Sequence, residues 1–440
     1  MIKVCKFGGT SMADANAIRQ VKSIIDSDSS RKFIVVSAPG KRFKNDIKIT
    51  DTLYRCYDEV VECGSCAKSF AIIRERFVEI VKDLGIDLDI ESILDQTENQ
   101  INEIKSAGFS ASRGEYLSAI VVSAFLGVEF VDAAEIIRFD SHGKLNVDYT
   151  DDKVSSRLAN SERAVIPGFY GKNFQGDIMT FSRGGSDITG SIIAHGVKAD
   201  LYENWTDVSG FLVCDPRLVE NPKVINQITY KEVRELSYMG ASVLHAEAIA
   251  PVMRKKIPIN IKNTFKPEDK GTMIVPNDQY KPDANDSVIT GIAGKKDFTV
   301  LLIEKSMMNS EVGFIRRVLS VVEHYDICVE HLPSGIDTLS VVVESSQLKE
   351  GVLTDLVNEI RENVKPDYVH VIENISLIAT VGHGMARRTG TAATLFTALA
   401  NANINIKMID QGSSELNIII GVNNSDYEKC INAIYNAFIK

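Results

Sequence analysis

Lys6-Phe7-Gly8-Gly9-Thr10-Ser11 stands between a short alternating segment, marked by Ile2 and Val4, and a stretch in which Ala15, Ile18, Val21 and Ile25 recur at helical spacing. Strand, glycine turn and helix form the unit from which parallel sheets are built, and ligands of such sheets sit at the carboxyl ends of the strands. Paired glycines let backbone N–H groups close on phosphate oxygens, the helix N-terminus adds partial positive charge, and Lys6 supplies a full one. The lysine precedes the glycines, whereas in a Walker A loop it follows them. Taken alone, a Gly-Gly turn is equally well a tight connection.

Working outward, the same alternation continues. Ile34-Val35-Val36 runs into Ser37-Ala38-Pro39-Gly40, and Val128 to Val131, Val165-Ile166, Ile178 to Phe181, Leu201 to Trp205 and Ile257 to Ile261 read as further strands between amphipathic helices. Residues 1–275 are therefore predicted to form an α/β domain with a mostly parallel central sheet between helices. Residues 276–287, polar, with Pro276 and Pro282 and no apolar periodicity, read as a linker.

Beyond it the chain repeats itself at an offset of 77 residues without a gap. Gly313 falls on Gly390, Leu319 on Phe396, Ile327 on Ile404, Val329 on Ile406, Leu339 on Leu416 and Val343 on Ile420. Each copy reads strand, glycine-led helix, strand, strand, helix, giving two small α+β modules at 298–373 and 374–440. The first copy begins at Phe298 to Ile303 and closes with a strand at Tyr368 to Ile372; the second ends after its helix Asp426 to Phe438, one strand short. The spare strand at 288–293 is predicted to cross over and complete the second module.

Three further loops carry groups suited to a small charged substrate. In Ser182-Arg183-Gly184-Gly185-Ser186-Asp187, again between strand and helix, Arg183 can grip a carboxylate with two parallel hydrogen bonds and Ser186 can donate one more. Asp187, read at the helix start, can cap the helix or orient a cation. Glu115, read at the head of another helix, can receive an ammonium or merely favour the dipole. Thr206, Asp207 and Arg217 can serve a nucleotide's base and ribose, or be ordinary loop residues. An arginine fork with a separate acid is what an amino-acid substrate requires.

Composition narrows the field. The chain has 440 residues, 44% hydrophobic and 25% charged, enough for two or three cores. A net charge of -10 without a dominant Lys/Arg cluster argues against a nucleic-acid partner. No apolar run approaches the roughly 20 residues of a membrane span, so no membrane partner and a cytoplasmic location are expected. Seven scattered cysteines form no disulfide framework, and Cys63-Gly64-Ser65-Cys66, in a helical pattern, lacks the second pair a zinc site needs.

Together, the Lys6 to Ser11 and Arg183 to Asp187 loops resemble the aspartokinase family in kind, order and spacing, over essentially the whole chain. The resemblance implies an amino-acid kinase fold followed by two ACT (ferredoxin-like) modules, in the form that lacks a homoserine dehydrogenase half. It implies transfer of the γ-phosphoryl group of ATP, with Mg²⁺, to the side-chain carboxylate of L-aspartate, the first step towards lysine, threonine and methionine. On the matching positions, Lys6 stabilises the transferring group and Asp187 organises that lysine. Thr50, Glu115, Arg183, Gly184, Gly185 and Ser186 hold aspartate. Lys6, Gly8, Gly9, Ser37, Thr206, Asp207, Leu212, Arg217, Ser242 and Val243 line the ATP site, and no protein metal site is implied.

Many family members carry a lysine in a Gly-Ala-Lys-Val-Leu-His stretch; here it is Ser242, and Lys255 or Lys262 is the expected substitute cation. The ACT pair implies feedback control by an end-product amino acid, lysine favoured with threonine or both behind it. The matching effector positions are Met308, Glu311, Phe314, Cys328, Val329, Glu330 and Ser334, where acidic Glu330 suits a cationic effector. Dimeric or tetrameric self-association is implied as well, with 411–415 as the pairing segment. Sibling kinases acting on glutamate, acetylglutamate, carbamate or uridylate are disfavoured by the Arg183 loop and the ACT pair. A catalytically silent amino-acid sensor is the alternative from another class.

Overall fold

The computed structural model describes residues 1–439 other than 183, 242, 243, 245, 282–286 and 350, with the backbone alone at 246 and 387. The chain falls into two compact units: Met1–Phe211 with Val224–Val233 and Ser242–Lys281, and Leu212–Lys223 with Arg234–Ala241 and Pro282–Lys440. No helix among the described residues is long and apolar enough to cross a membrane.

In the first unit the strands are β1 (Lys3–Phe7), β2 (Arg31–Val36), β3 (Glu129–Phe130), β4 (Ala164–Pro167), β5 (Tyr170–Lys172), β6 (Ile178–Thr180), β7 (Leu201–Thr206), β8 (Gln227–Thr229), β9 (Ile259–Asn263) and β10 (Thr272–Val275). Eight of them form one sheet in the order β3-β4-β2-β1-β7-β9-β10-β8, parallel throughout except where β10 meets β9. The central strands are almost entirely buried, because helices cover both faces. Cys5 and Phe7 join a large apolar cluster built from the helices Ala15–Asp26, Ile49–Cys63, Ala67–Leu84 and Ala107–Leu126. The alternate residue Lys6 points towards the helix Gly185–Gly196, whose Asp187 it meets.

One sequence expectation needs correction here. Ile178 to Phe181 is not a sheet strand: its first three residues form β6, which pairs only with β5 in a separate antiparallel hairpin. The short strands β8 and β10, three and four residues long, extend the sheet at its far edge without any periodicity that the sequence could advertise.

The second unit contains β11 (Gly291–Glu304), β12 (Thr338–Glu344), β13 (Tyr368–Val381), β14 (Met408–Asp410) and β15 (Asn417–Asn423) in an antiparallel sheet ordered β12-β11-β13-β15-β14. Segments expected as separate strands are fused. β11 runs through a register irregularity between Lys295 and Phe298, pairing Phe298–Glu304 with β12 and Gly291–Lys295 with Leu377–Val381 of β13. The same far half of β13 pairs with β15, so the segment ahead of the first copy lies in the sheet of the second. Gly313 and Gly390, superimposed by the repeat, both take a left-handed conformation ahead of their helices, with φ of 79° and 84°. The copies differ elsewhere: β14 has no counterpart strand in the first copy, where His331–Val342 and Ser334–Leu339 make only isolated bridges.

Two stretches inside residues 1–275 belong to this second unit. Val213 N–H donates to Lys223 O, Ile292 N–H donates to Val213 O at 2.7 Å, and Lys223 Nζ reaches Ile439 O at 2.8 Å. The Asn432 amide donates to Leu218 O and the Asn417 amide to Glu235. Such contacts link residues some 200 positions apart, which is why sequence order placed the boundary differently.

Candidate functional site

β1 lies between β2 and β7, so the loops after these three strands converge at one edge of the sheet. Gly8 N–H donates to Trp205 O at 2.9 Å, Ser37 N–H to Phe7 O at 3.2 Å, and Gly40 N–H to Gly9 O at 2.8 Å. A Cβ on Gly40 would stand 2.7 Å from the Gly9 carbonyl carbon, so the two turns touch backbone to backbone only because Gly40 has none. Arg76, 4% exposed, ties them from behind by donating to Ala13 O and Gly40 O and pairing with Asp46 at 2.8 Å.

Into this edge the hairpin β5–β6 delivers the second glycine loop. Gly184 precedes the helix Gly185–Gly196, and Ser186, 8% exposed, packs against Gly168 so closely that a Cβ there would lie 2.7 Å from it. Asp187 is not a helix cap: it is the third helical residue, and its carboxylate is spent on Lys6 Nζ at 2.6 Å and the Asn204 amide at 2.9 Å. Asn204, next to Lys6 in the β1–β7 register, escaped the sequence reading because only strand pairing makes them neighbours. Lys6 is 8% exposed and Asn204 3%, so the cluster is desolvated.

Glu115 also needs correction. The helix that carries it begins at Ala107 behind its own cap, Ser106, so Glu115 sits in mid-helix and a dipole role is ruled out. It is 5% exposed, and its Oε2 has no hydrogen-bond partner among the described residues. Burial pushes its carboxyl up to about 8, against the opposing pull of the Ala38 N–H, its own N–H and the Arg113 charge. Thr50 is the second residue of the helix Ile49–Cys63, whose first N–H donates to Pro39 O in the loop after β2. Arg183 lies outside the described residues.

Comparisons with known proteins agree with this architecture. The profile of the amino acid kinase family matches residues 1–263, and that of the ACT domain matches 378–438. Aspartokinase 3 of Bacillus subtilis is 36% identical across 99% of this chain and 98% of its own length. The chain belongs to the aspartokinase family. It is thus a kinase, and its central parallel sheet and antiparallel C-terminal sheet are the amino acid kinase and ACT folds. The crystal structure of Clostridium acetobutylicum aspartate kinase, described as an allosteric enzyme, is 52% identical with a TM-score of 0.94 over 99% of this chain and 100% of that one. Escherichia coli aspartokinase III, crystallised with aspartate and ADP, shares the fold at 24% identity and a TM-score of 0.76, each chain fully covered.

On the nucleotide side of this aspartokinase the picture is divided. Thr206 ends β7 in the first unit and Asp207 follows it, with the Thr206 hydroxyl donating to Asp207 at 3.2 Å and Thr264 N–H to Thr206 O at 2.8 Å. Leu212 and Arg217 belong to the second unit, where Arg217, 86% exposed, is held by Asp215. Ser242 and Val243 lie outside the described residues. Neither expected substitute cation is free: Lys255 Nζ donates to His195 O at 3.0 Å, and Lys262 Nζ lies 5.1 Å from the centre of the Trp205 ring. The redox-like cysteine pair is not within one helix either; Cys63 ends one, Gly64 breaks the chain in a left-handed turn, and buried Cys66 precedes the next.

The effector candidates of this aspartokinase gather at one helix start and one sheet edge. Met308 and Phe314 are buried in the core of the first ACT copy with Val329 packed against it. Glu311 is paired with Arg317. Cys328 exchanges two backbone hydrogen bonds with the Gln347 side chain, and Glu330 N–H donates to Val342 O at 2.8 Å while its carboxylate accepts from the Tyr238 hydroxyl. Ser334 forms the bridge with Leu339.

Proposed function

We propose that this kinase phosphorylates the β-carboxylate of L-aspartate with ATP, giving 4-phospho-L-aspartate and ADP. The observation that carries the reading is the 2.6 Å meeting of Lys6 with Asp187, each beside a glycine turn, at the edge where β1 and β7 end. Lys6, the Gly8 and Gly9 turn and the start of the helix Gly185–Gly196 face the transferring phosphoryl group. The substrate carboxylate is already ionised at neutral pH, so it attacks the γ-phosphorus in line without a general base. Catalysis then rests on positioning and on charge neutralisation that strengthens as charge moves to the bridging oxygen.

Glu115, desolvated and half unpartnered, takes the α-ammonium of aspartate. Arg183, Ser186 and Thr50 take its carboxylates. Ser37, Thr206 and Asp207 serve the nucleotide, joined by Ser242 and Val243. Magnesium is proposed to arrive on the triphosphate and to keep waters for most of its ligands.

The ACT unit is proposed to bind an end-product amino acid, lysine first and threonine second, and to shift the kinase between more and less active states in a dimer or tetramer. A coupled ADP-release assay tests both readings with the same protein. Turnover is expected with aspartate and not with glutamate, and it should fall on addition of lysine. Turnover with neither acid would remove the aspartate reading, and turnover indifferent to lysine and threonine would remove the feedback reading.

A further inference from the structure

We infer that Asn204 is a positioning residue of the phosphoryl-transfer site, setting the direction of the Lys6 ammonium by holding Asp187 and Lys6 with opposite ends of one amide. The inference rests on the kinase reading of Lys6 and Asp187 above.

The geometry uses both functional ends of the side chain. Asn204 Nδ2 donates to Asp187 Oδ1 at 2.9 Å, and Asn204 Oδ1 accepts from Lys6 Nζ at 3.5 Å, while Lys6 Nζ reaches the same Asp187 Oδ1 at 2.6 Å. The three side chains close a ring of contacts in which the donor end of the amide meets the anion and its acceptor end meets the cation. A leucine would fill the space but could do neither, and an ionised aspartate could do only the second. Two residues earlier on the same face of β7, the Tyr202 hydroxyl donates to the backbone carbonyl of Asp187 at 3.1 Å. A Cβ on Gly190 would stand 2.5 Å from that hydroxyl, so the helix Gly185–Gly196 lies directly on the strand. β7 thus grips Asp187 twice, by its backbone through Tyr202 and by its carboxylate through Asn204.

The consequence concerns a free choice that Lys6 would otherwise have. A lysine has four rotatable bonds and three donors, and one carboxylate partner leaves it free to swing around that partner. The second acceptor at Asn204 removes part of that freedom and leaves one of the three hydrogens for a ligand, beside Gly8, where a built Cβ would lie 3.6 Å from Nζ. Transition-state stabilisation depends on such aim, because donors must already point where charge will develop.

The test compares Asn204→Leu with Asn204→Asp, which differ from the wild type in bonding more than in bulk. Both are expected to lower kcat by about tenfold or more with KM for aspartate and ATP changed by less than about threefold, since both ends of the Asn204 amide are engaged by Lys6 and Asp187. Asn204→Asp should recover kcat as the pH falls, because a protonated Asp at 204 again donates to Asp187; Asn204→Leu should not. The ionisable or charged groups facing position 204 are Lys6 on β1, Asp187 on the helix and Tyr202 on β7, while its partner on β9 is the apolar Ile261. A purely structural role would give the same loss at every pH, matched by a loss of folded protein in thermal melting, and would overturn the inference. So would wild-type kcat in both variants.

A readout independent of turnover separates this inference from the aspartate reading. In protein labelled with ¹⁵N-lysine, the Lys6 ammonium signal should be sharp in the wild type and broadened in Asn204→Leu. A broadened signal in a protein with no aspartate-dependent turnover would sink the aspartate reading and leave the positioning role standing; an unchanged signal would sink the positioning role itself.

Discussion

Asp187 and Glu115 are both withdrawn from water in the same unit, yet the protein treats them in opposite ways. Asp187 is met by a lysine and an amide. Glu115 keeps one oxygen without a hydrogen-bond partner among the described residues, and burial pushes its carboxyl up to about 8. The difference teaches where each counter-charge comes from. Under the proposed roles, a carboxylate that works on the protein's own lysine is satisfied in advance, whereas one that is to receive a substrate ammonium is left incomplete. Glu203, on the opposite face of β7 from Asn204, is a third case: it is 2% exposed, accepts from Arg31 at 2.8 Å and from the Trp205 indole at 3.0 Å, and lies 3.6 Å from Lys3. Its pairing lowers its pKa despite burial, as expected for a structural pair.

The comparison breaks most sharply at Lys6. Lys6→Ala is expected to lower kcat by about 10³- to 10⁵-fold, the scale of a lost cation on a transferring phosphoryl group, while nucleotide binding stays measurable by calorimetry. Near-normal turnover would mean that Asp187 and Lys6 form only a structural pair. Glu203→Gln should do the reverse: removing one partner of a buried pair costs about 3–5 kcal/mol of stability, visible as a lower urea midpoint, with kcat of the folded enzyme retained. A fall in kcat without a change in midpoint would assign Glu203 to the site.

Glu115→Gln should raise KM for aspartate by roughly 10- to 100-fold, the value of a charged hydrogen bond of about 1.5–3 kcal/mol. Its effect on the empty protein has a definite sign. With the folded pKa raised to about 8 from an ordinary 4.5, the contribution of Glu115 to stability is fully present below pH 4.5 and lost as pH rises through 8. The glutamine variant escapes that loss, so its urea midpoint should gain on the wild type between pH 6 and pH 9; a wild-type midpoint that rises relative to the variant over that range would contradict the burial argument. The smallest effect is a proton. Below pH 8 aspartate binding should release up to one, because the incoming ammonium favours ionised Glu115, and calorimetry in buffers of different ionisation heat would detect it. Binding enthalpies independent of buffer would place the ammonium elsewhere.

Legibility in the sequence followed the range of the interactions. The glycine turns, the helix face led by Ala15 and the gapless repeat are local patterns, and the sheet and the two α+β modules could be read from them. The fused strands β11 and β13 could not, because a bulge near Asp297, with φ of 68°, carries one strand into the next where sequence shows only an interruption. Glu115 was picked out as an acid able to receive an ammonium, but its place in mid-helix depended on Ser106 capping nine residues earlier. Nothing local marked Asn204 or Arg76.

By itself, then, the sequence determined which loops carry glycine, which carry charge, and that a duplicated module follows. Only the tertiary structure decided what each charge faces. Strand register put Asn204 beside Lys6, helix packing brought Asp187 onto both, and burial left Glu115 short of a partner. The physical reason is that a residue's type and spacing are written along the chain, while its solvation and its partner's position depend on residues almost 200 places away.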